Sequence, residues 1–194
     1  MNPLGLHIFL ASKSPRRAQL LEQLDICFDI LDIDIAEVPV PGEAAEDYVR
    51  RLAREKAGAG LTQVAAVKGA CVIGSDTEVV LDGDIFGKPT DAAHAAAMLR
   101  RLSGREHRVL TAISVVSADR EVESLCVSTV RFVTLDEAVI ARYIDSGEPF
   151  GRAGAYAIQG RAAAFIEHLA GSFSGVMGLP LHDIARLLAS LGAR

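Results

Sequence analysis

The chain has 194 residues, half of them hydrophobic, which suits one domain or two small lobes that share a core. Its formal net charge of −5 argues against a nucleic-acid polymer as partner, because a phosphate backbone binds to a basic face. Three widely spaced cysteines favour a reducing compartment over a disulfide framework or a zinc site. No apolar run is long enough to cross a membrane and no secretory signal is recognisable, so we expect a cytoplasmic protein without a membrane partner.

The first predicted elements are a short apolar strand that ends at Ala11 and a helix that begins at Pro15. Ser14 precedes the proline and predicts an N-cap whose hydroxyl accepts a backbone hydrogen bond. Arg16 and Arg17 then fall in the first helical turn, where the helix dipole disfavours cations unless an anion binds there. This turn predicts a polyphosphate site, and a capped helix with two solvated arginines is the alternative.

The rest of the chain mixes predicted strands and helices. The first helix ends near Leu24, and strands follow over 28–35, 71–74, 79–81, 85–86, 107–116, 121–134 and 163–168. Further helices are predicted over 43–59, 91–102, 136–145 and 180–191. Thr90 is the predicted cap of the helix over 91–102, and Asp82-Gly83 predicts a two-residue hairpin turn. This mixture favours an α/β or α+β fold with a mixed sheet.

Lys56 lies on the apolar stripe of the helix predicted over 43–59, one turn after Leu52. A lysine on an inward face either extends its ammonium group to water or reaches into a cleft. The sequence leaves both interpretations open.

Asp76 is the strongest single candidate for chemistry. It follows the predicted strand 71–74, and ligand-binding groups of α/β sheets collect beyond strand ends. A solvated aspartate at a strand end is the alternative. Lys88 lies between Gly87 and Pro89, which predicts a lysine held on a stiff turn.

Together these candidates match a small, highly charged ligand. Four cationic side chains come from separate elements, and they are Arg16, Arg17, Lys56 and Lys88. Glu37 and Asp76 supply carboxylates of the kind that hold Mg²⁺ beside phosphates. A Walker motif and a kinase-type glycine loop are both absent, so a hydrolase fits better than a kinase or a motor.

Seven short sequence segments, spread in order over nearly the whole chain, match the pattern of one protein family. They are 10–17, 52–57, 74–77, 87–89, 102–104, 154–160 and 178–181. Together they resemble the Maf family of nucleoside triphosphate pyrophosphatases. The resemblance implies one Maf-like domain over residues 1–194, with a mixed, strongly twisted central sheet, flanking helices and two lobes around a cleft, as in ITPase-like folds. It also implies a homodimer that hydrolyses a nucleoside triphosphate to the monophosphate and pyrophosphate with a divalent cation, Mg²⁺ or Mn²⁺.

The resemblance also implies catalytic and specificity roles for particular residues. It makes Asp76 the catalytic proton acceptor and links Arg16, Thr77 and Gln159 to substrate choice. The block around Gln159 resembles the branch that acts on dTTP and UTP, whereas the 7-methyl-GTP branch typically has a glutamate in that region. A glutamine also offers the donor and acceptor that match a pyrimidine edge, and the alternative is a glutamine that closes its own glycine-rich turn.

The remaining assignments concern the phosphates and the metal ion. We assign phosphate binding to Ser12, Ser14, Arg17, Lys56 and Lys88. We assign the metal ion to Asp76 and Glu37. Two positions depart from the family pattern. Ser75 stands where alanine is usual, and Gly151-Arg152 stands where Asp-Lys is frequent, so the positive charge is kept and the carboxylate is lost.

Three functions remain in competition at this point. The first is hydrolysis of dTTP, UTP and modified pyrimidine triphosphates. The second is hydrolysis of 7-methyl-GTP or another purine triphosphate. The third is a nucleotide-binding regulator of cell division or septum formation, with hydrolysis secondary or absent. The joint presence of Asp76, Lys56 and Lys88 favours an enzyme.

Overall fold

A mixed seven-stranded sheet with flanking helices organises the protein, and the computed structural model describes it over residues 6–191. The strands are β1 (His7–Leu10), β2 (Phe28–Ile30), β3 (Ala70–Leu81), β4 (Asp84–Phe86), β5 (Glu106–Ser117), β6 (Glu121–Phe132) and β7 (Ile166–Ala170). The helices are α1 (Pro15–Glu22), α2 (Ala45–Gln63), α3 (Ala92–Leu102), α4 (Glu137–Asp145), α5 (Phe173–Met177) and α6 (Leu181–Ser190). The strand order is β2-β1-β3-β5-β6-β7, with β4 added to β3. The predicted α/β class with a mixed sheet is confirmed.

The two edges of β3 are paired differently, and this difference positions the site. Along one edge, β5 pairs antiparallel with β3 from Cys71 to Val80. Along the other edge, β1 pairs in parallel with Ala70–Ile73 and β4 pairs antiparallel with Val79–Leu81. Among the described strands, none pairs with residues 74–78 on this second edge. The sheet therefore has a gap between β1 and β4.

The gap exists because its two bordering strands end there. β1 stops at Leu10, whose carbonyl accepts from the Ser12 N–H as the chain turns toward α1. On the other side, the short strand β4 is the second strand of the predicted hairpin and pairs only with Val79–Leu81. Asp82 and Gly83 have φ values of 55° and 86°, the left-handed conformations that a tight two-residue turn requires.

Apolar packing on both faces of β3 is interrupted at the same place. On one face, α2 covers Val72 in one cluster and Val80 in another. On the opposite face, Ile73 belongs to a cluster with α1 and α6, and Val79 belongs to a cluster with α3 and α4. Between these clusters, residues 74–78 include four polar side chains and one glycine, so apolar packing stops on both faces beside the gap.

Several predicted boundaries were wrong. The strand predicted over 28–35 ends at Ile30, because Leu31 makes the last bond to β1 through the Leu10 carbonyl and no strand continues beside it. The two strands predicted over 71–74 and 79–81 are one continuous strand, β3, since β5 pairs with nearly its full length. Asp76 therefore lies inside a strand rather than beyond its end.

Helix ends show smaller errors. Asp91, not Thr90, caps α3, and its carboxylate accepts from the His94 N–H at 2.7 Å. The second helix continues to Gln63 rather than stopping near residue 59, because Gly60 lets it pack closely against Val72. Helix α5 was missed, and a 3-10 helix over Arg161–Phe165 occupies the start of the last predicted strand.

We expect Gly74→Ala to destabilise the protein by about 3 kcal/mol, because an added Cβ would lie 2.2 Å from the Ala53 carbonyl oxygen of α2. Gly58→Ala, in the facing helix α2, is the control, since its Cβ would meet nothing within 4 Å. That control should stabilise the protein by about 0.5–1 kcal/mol. Urea denaturation measures both changes, and equal stabilities would contradict the close packing.

Candidate active site

A single cavity of about 760 Å³ opens at the gap in the sheet and gathers every predicted site residue. These residues are Ser12, Ser14, Arg16, Arg17, Glu37, Lys56, Asp76, Thr77, Lys88 and Gln159. They come from the turn after β1, the first turn of α1, the segment before α2, α2 itself, β3, the turn after β4 and the glycine-rich segment 151–160. The structure brings them together as expected, and their individual roles stay predictions.

Four of these side chains form a continuous chain of ion pairs. The Lys56 ammonium lies 2.6 Å from Asp76 Oδ1 and 2.7 Å from Glu37 Oε1. Lys88 donates to the other oxygen of Glu37 at 2.6 Å. Lys56 is only 8% exposed, so it reaches into the cleft instead of extending to water. The chain of pairs runs from the buried strand β3 to the exposed turn that holds Lys88.

The lysines keep Glu37 ionised. Partial burial opposes the ionised form, but hydrogen bonds from Lys56 and Lys88 outweigh it and lower the pKa of Glu37 to about 2. Both oxygens of this carboxylate are therefore engaged by cations. The two lysines in turn carry charges that are already balanced inside the cavity.

Arg17 is fixed by groups from distant parts of the chain. Its Nε donates to the Gly178 carbonyl at 2.8 Å, and its two terminal nitrogens lie 3.2 Å from Thr77 Oγ1 and 3.4 Å from Ser12 Oγ. Burial lowers the pKa of Arg17, although a guanidinium remains charged in proteins. The Ser75 hydroxyl donates to the same Gly178 carbonyl at 3.0 Å. These contacts orient Arg17 without neutralising it.

The predicted cap at Ser14 is only partly correct. Ser14 is the N-cap residue of α1, but its hydroxyl accepts no capping hydrogen bond. Instead, the Ser12 hydroxyl accepts from the Ser14 N–H at 3.2 Å, and the Ser14 carbonyl accepts from the N–H groups of Arg17 and Ala18. The Ser14 hydroxyl is left to face the cavity.

Arginines carry the cavity's unbalanced positive charge. None of the ion pairs formed within residues 6–191 includes Arg16, Arg17 or Arg152. Arg152 lines the cavity from the glycine-rich segment, and its Nε is buried without a partner. The sequence identified Arg152 only as a departure from the family pattern, and its side chain joins the candidate site.

Glu78 is the acidic site residue that sequence reasoning missed. It lies two residues after Asp76 on the same face of β3 and lines the cavity. Burial, reinforced by the nearby charges of Asp76 and Glu37, raises its pKa to about 8. The spacing i, i+2 of Asp76 and Glu78 is visible in the sequence. It places both side chains on one face only if residues 71–81 form one strand.

Gln159 lies exposed at the cavity wall, in a segment held by its neighbours. The Glu148 carboxylate accepts from the Tyr143 hydroxyl at 2.9 Å and from the Arg161 N–H at 3.0 Å. A Cβ on Gly160 would collide with the Glu148 oxygens, so a side chain there would displace this carboxylate from its hydrogen bonds. No side-chain hydrogen bond of Gln159 occurs within the described residues, and the alternative of a turn-closing glutamine finds no support.

The cavity offers carboxylate oxygens to a divalent cation. The described part of the chain has no group of three or more His, Cys, Asp or Glu side chains arranged for a metal. Asp76 Oδ2 is nevertheless buried and has no hydrogen-bond partner. A carboxyl oxygen without a partner fits a hard cation, because Mg²⁺ needs only one or two carboxylates beside water and phosphate.

Comparisons with known proteins identify the family of the chain. The family model "Maf-like protein" matches residues 7–191, so the chain belongs to the Maf family. A dTTP/UTP pyrophosphatase of Xanthomonas euvesicatoria pv. vesicatoria (strain 85-10) is 56% identical over 188 residues, which are 96% of this chain and 99% of the relative. A nucleoside triphosphate pyrophosphatase of Xylella fastidiosa (strain M23) is 55% identical over 184 residues, which are 94% of this chain and 97% of the relative.

The solved structure of the Staphylococcus aureus Ham1 protein resembles this one distantly. Its TM-score is 0.43 at 16% identity, with 65% of this chain and 71% of that chain covered, which is too weak a likeness to support an argument.

Helices long and apolar enough to cross a bilayer are absent from residues 6–191. Cys27, Cys71 and Cys126 are all free thiols.

We expect Lys56→Met to destabilise the protein by about 3 kcal/mol, because it leaves Asp76 buried without its cation. Lys13→Met is the control, since the Lys13–Asp32 pair is exposed and its loss should cost less than about 0.5 kcal/mol. Chemical denaturation at neutral pH measures both. A Lys56 variant as stable as the Lys13 variant would show that the buried pair is not needed for folding.

Proposed function

We propose that this protein hydrolyses nucleoside triphosphates to the monophosphate and pyrophosphate, with dTTP, UTP and modified pyrimidine triphosphates as substrates. The observation that carries the proposal is the convergence of the buried Asp76 and six cationic side chains on one cavity. The names of the Xanthomonas and Xylella relatives support the same reaction. A cavity of about 760 Å³ has room for a small-molecule substrate of this class.

The triphosphate binds where positive charge is unbalanced. Arg16, Arg17 and the N-terminus of α1 face it from one side, with the hydroxyls of Ser12 and Ser14, and Arg152 faces it from the glycine-rich segment. Lys88 is half-exposed on a turn and can exchange its bond to Glu37 for one to a phosphate. Fixed cations stabilise charge that develops as pyrophosphate leaves.

Asp76 orients the attacking water. Its Oδ1 is held by Lys56, which leaves Oδ2 to accept a hydrogen bond from a water directed at the α-phosphorus. A divalent cation, Mg²⁺ or Mn²⁺, would neutralise phosphate charge and acidify water when bound. Asp76 is a ligand for it, and Glu37 could join only by releasing a lysine.

The nucleobase lies toward Gln159, whose amide supplies one donor and one acceptor to the O4 and N3–H edge of uracil or thymine. Thr77 and Arg16 line the same cavity and complete the residues that select the substrate. A site that pairs with one base edge rejects others by leaving polar groups unpaired.

Three further features belong to this proposal. A single domain over the whole chain is supported by the family match to residues 7–191, with the cavity between two halves of the sheet. Free thiols at all three cysteines suit the expected cytoplasmic location. The homodimer implied by the family resemblance remains a prediction, for which sedimentation analysis is the direct measurement.

We expect Asp76→Asn to lower kcat for UTP by about 10²–10⁴-fold, because the amide cannot accept the water's proton. Pyrophosphate release measures the rate, and thermal unfolding checks that the variant folds. Turnover near that of the unmodified protein would contradict the role of Asp76.

We expect Gln159→Glu to lower kcat/KM for dTTP and UTP by about 10–100-fold, since a carboxylate cannot donate to the pyrimidine O4. The melting temperature should stay nearly constant because this side chain is exposed. The same assay with GTP and 7-methyl-GTP shows whether selectivity changes. Equal kinetics for every base in both proteins would exclude Gln159 from base recognition.

A further inference from the structure

Two residues that line the cavity each have a buried carboxylate oxygen without any partner. Asp76 is 4% exposed and Glu78 is 8% exposed, and Asp76 Oδ2 and Glu78 Oε2 make no hydrogen bond with any described residue. Residues i and i+2 of a strand project from the same face, so both carboxyl groups project from one side of β3. Buried carboxyl oxygens are costly when they are left unpaired. This cost points to a ligand that the two groups share.

Glu37 is poorly placed to be that second carboxylate. Its Oε1 accepts from Lys56 at 2.7 Å and its Oε2 accepts from Lys88 at 2.6 Å. A cation that bound to Glu37 would have to displace one ammonium group and lie beside the other. No ion pair of Glu78 occurs within residues 6–191. Among the buried carboxylates of the cavity, the free acceptors are therefore those of Asp76 and Glu78.

We propose that Glu78 is a metal ligand, and that Asp76 Oδ2 and Glu78 Oε2 together bind the divalent cation. The inference deepens the proposed hydrolysis and rests on it for its biological meaning. Hard cations such as Mg²⁺ and Mn²⁺ prefer carboxylate oxygens and fill their remaining positions with water and substrate phosphate. The bond of Lys56 to Asp76 Oδ1 leaves Oδ2 free and orients it, as groups behind a metal ligand commonly do.

The proposal separates the roles of three cavity carboxylates, Glu37, Asp76 and Glu78. Glu37 joins the two lysines, Glu78 binds the ion, and Asp76 contacts both a lysine and the ion. Since the pair lies in the gap between β1 and β4, the ion is reached from the same opening as the phosphates.

The test is a Mn²⁺ titration of the full chain without nucleotide, with free Mn²⁺ measured by electron paramagnetic resonance. Glu78→Gln should weaken the Kd for Mn²⁺ by about tenfold or more, because it removes a ligand. Glu37→Gln is the matched control and should change the Kd by less than about threefold. An unchanged Kd in Glu78→Gln, or a larger loss in Glu37→Gln, would overturn the proposal.

A second readout separates a bound ligand from a distant charge. Water-proton relaxation gives the number of waters on bound Mn²⁺, and Glu78→Gln should add about one. A constant water number would show that Glu78 acts only through its charge and would refute the proposal. Glu78→Met, which fills similar buried space without charge, takes the place of Glu78→Gln if that variant fails to fold.

The Mn²⁺-binding assay contains no substrate, so its result does not depend on whether the protein hydrolyses nucleoside triphosphates. Normal Mn²⁺ affinity in Glu78→Gln, together with hydrolysis by the unmodified protein, would overturn only the assignment of Glu78. No hydrolysis of any triphosphate by the unmodified protein would overturn the proposed function and leave the Mn²⁺ result unaffected.

Discussion

The unpaired edge of β3 between β1 and β4 is the constraint from which the site follows. A strand in the middle of a sheet normally has neighbours on both sides, and its backbone groups are satisfied by them. Here residues 74–78 have β5 on one side and no described strand on the other. The opening lets polar side chains occupy a buried strand, because they can face a cavity rather than apolar side chains. The α2 helix crosses one face close enough that Gly74 is required, and it brings Lys56 to Asp76.

Charge in the cavity is divided between balanced and unbalanced groups. The lysines are paired with carboxylates, so they are held in place before any ligand arrives, and such preorganisation reduces the cost of binding and of catalysis. The arginines are oriented by neutral groups instead. Arg17 donates to a carbonyl and two hydroxyl oxygens, which fix its geometry and leave its charge available to a phosphate. A polyanion in the cavity therefore meets lysines whose charge is already balanced by carboxylates and arginines whose charge is not.

Much of this arrangement could be predicted from local sequence. Strand and helix periodicity gave the mixed sheet, the hairpin at Asp82-Gly83 and the apolar face of α2, because these depend on neighbours in the chain. The errors came from long-range pairing. β3 continues through Asp76 only because β5 lies beside it, and the segment after Ile30 leaves the sheet because β1 has ended. Glu78 was missed for the same reason, since its position on the face of Asp76 depends on that continuous strand.

The Gly178 carbonyl, which accepts from Arg17 and Ser75, joins residues that are 161 positions apart in the chain. Arg17 is synthesised early, and its acceptor is synthesised only near the end. A nascent chain that stops before Gly178 contains every charged group of the cavity but lacks the carbonyl that accepts from Arg17 Nε. Long sequence separations of this kind slow folding, because the loop must close before the contact forms. Arg17 therefore gains its full set of contacts only after nearly the whole chain has been synthesised.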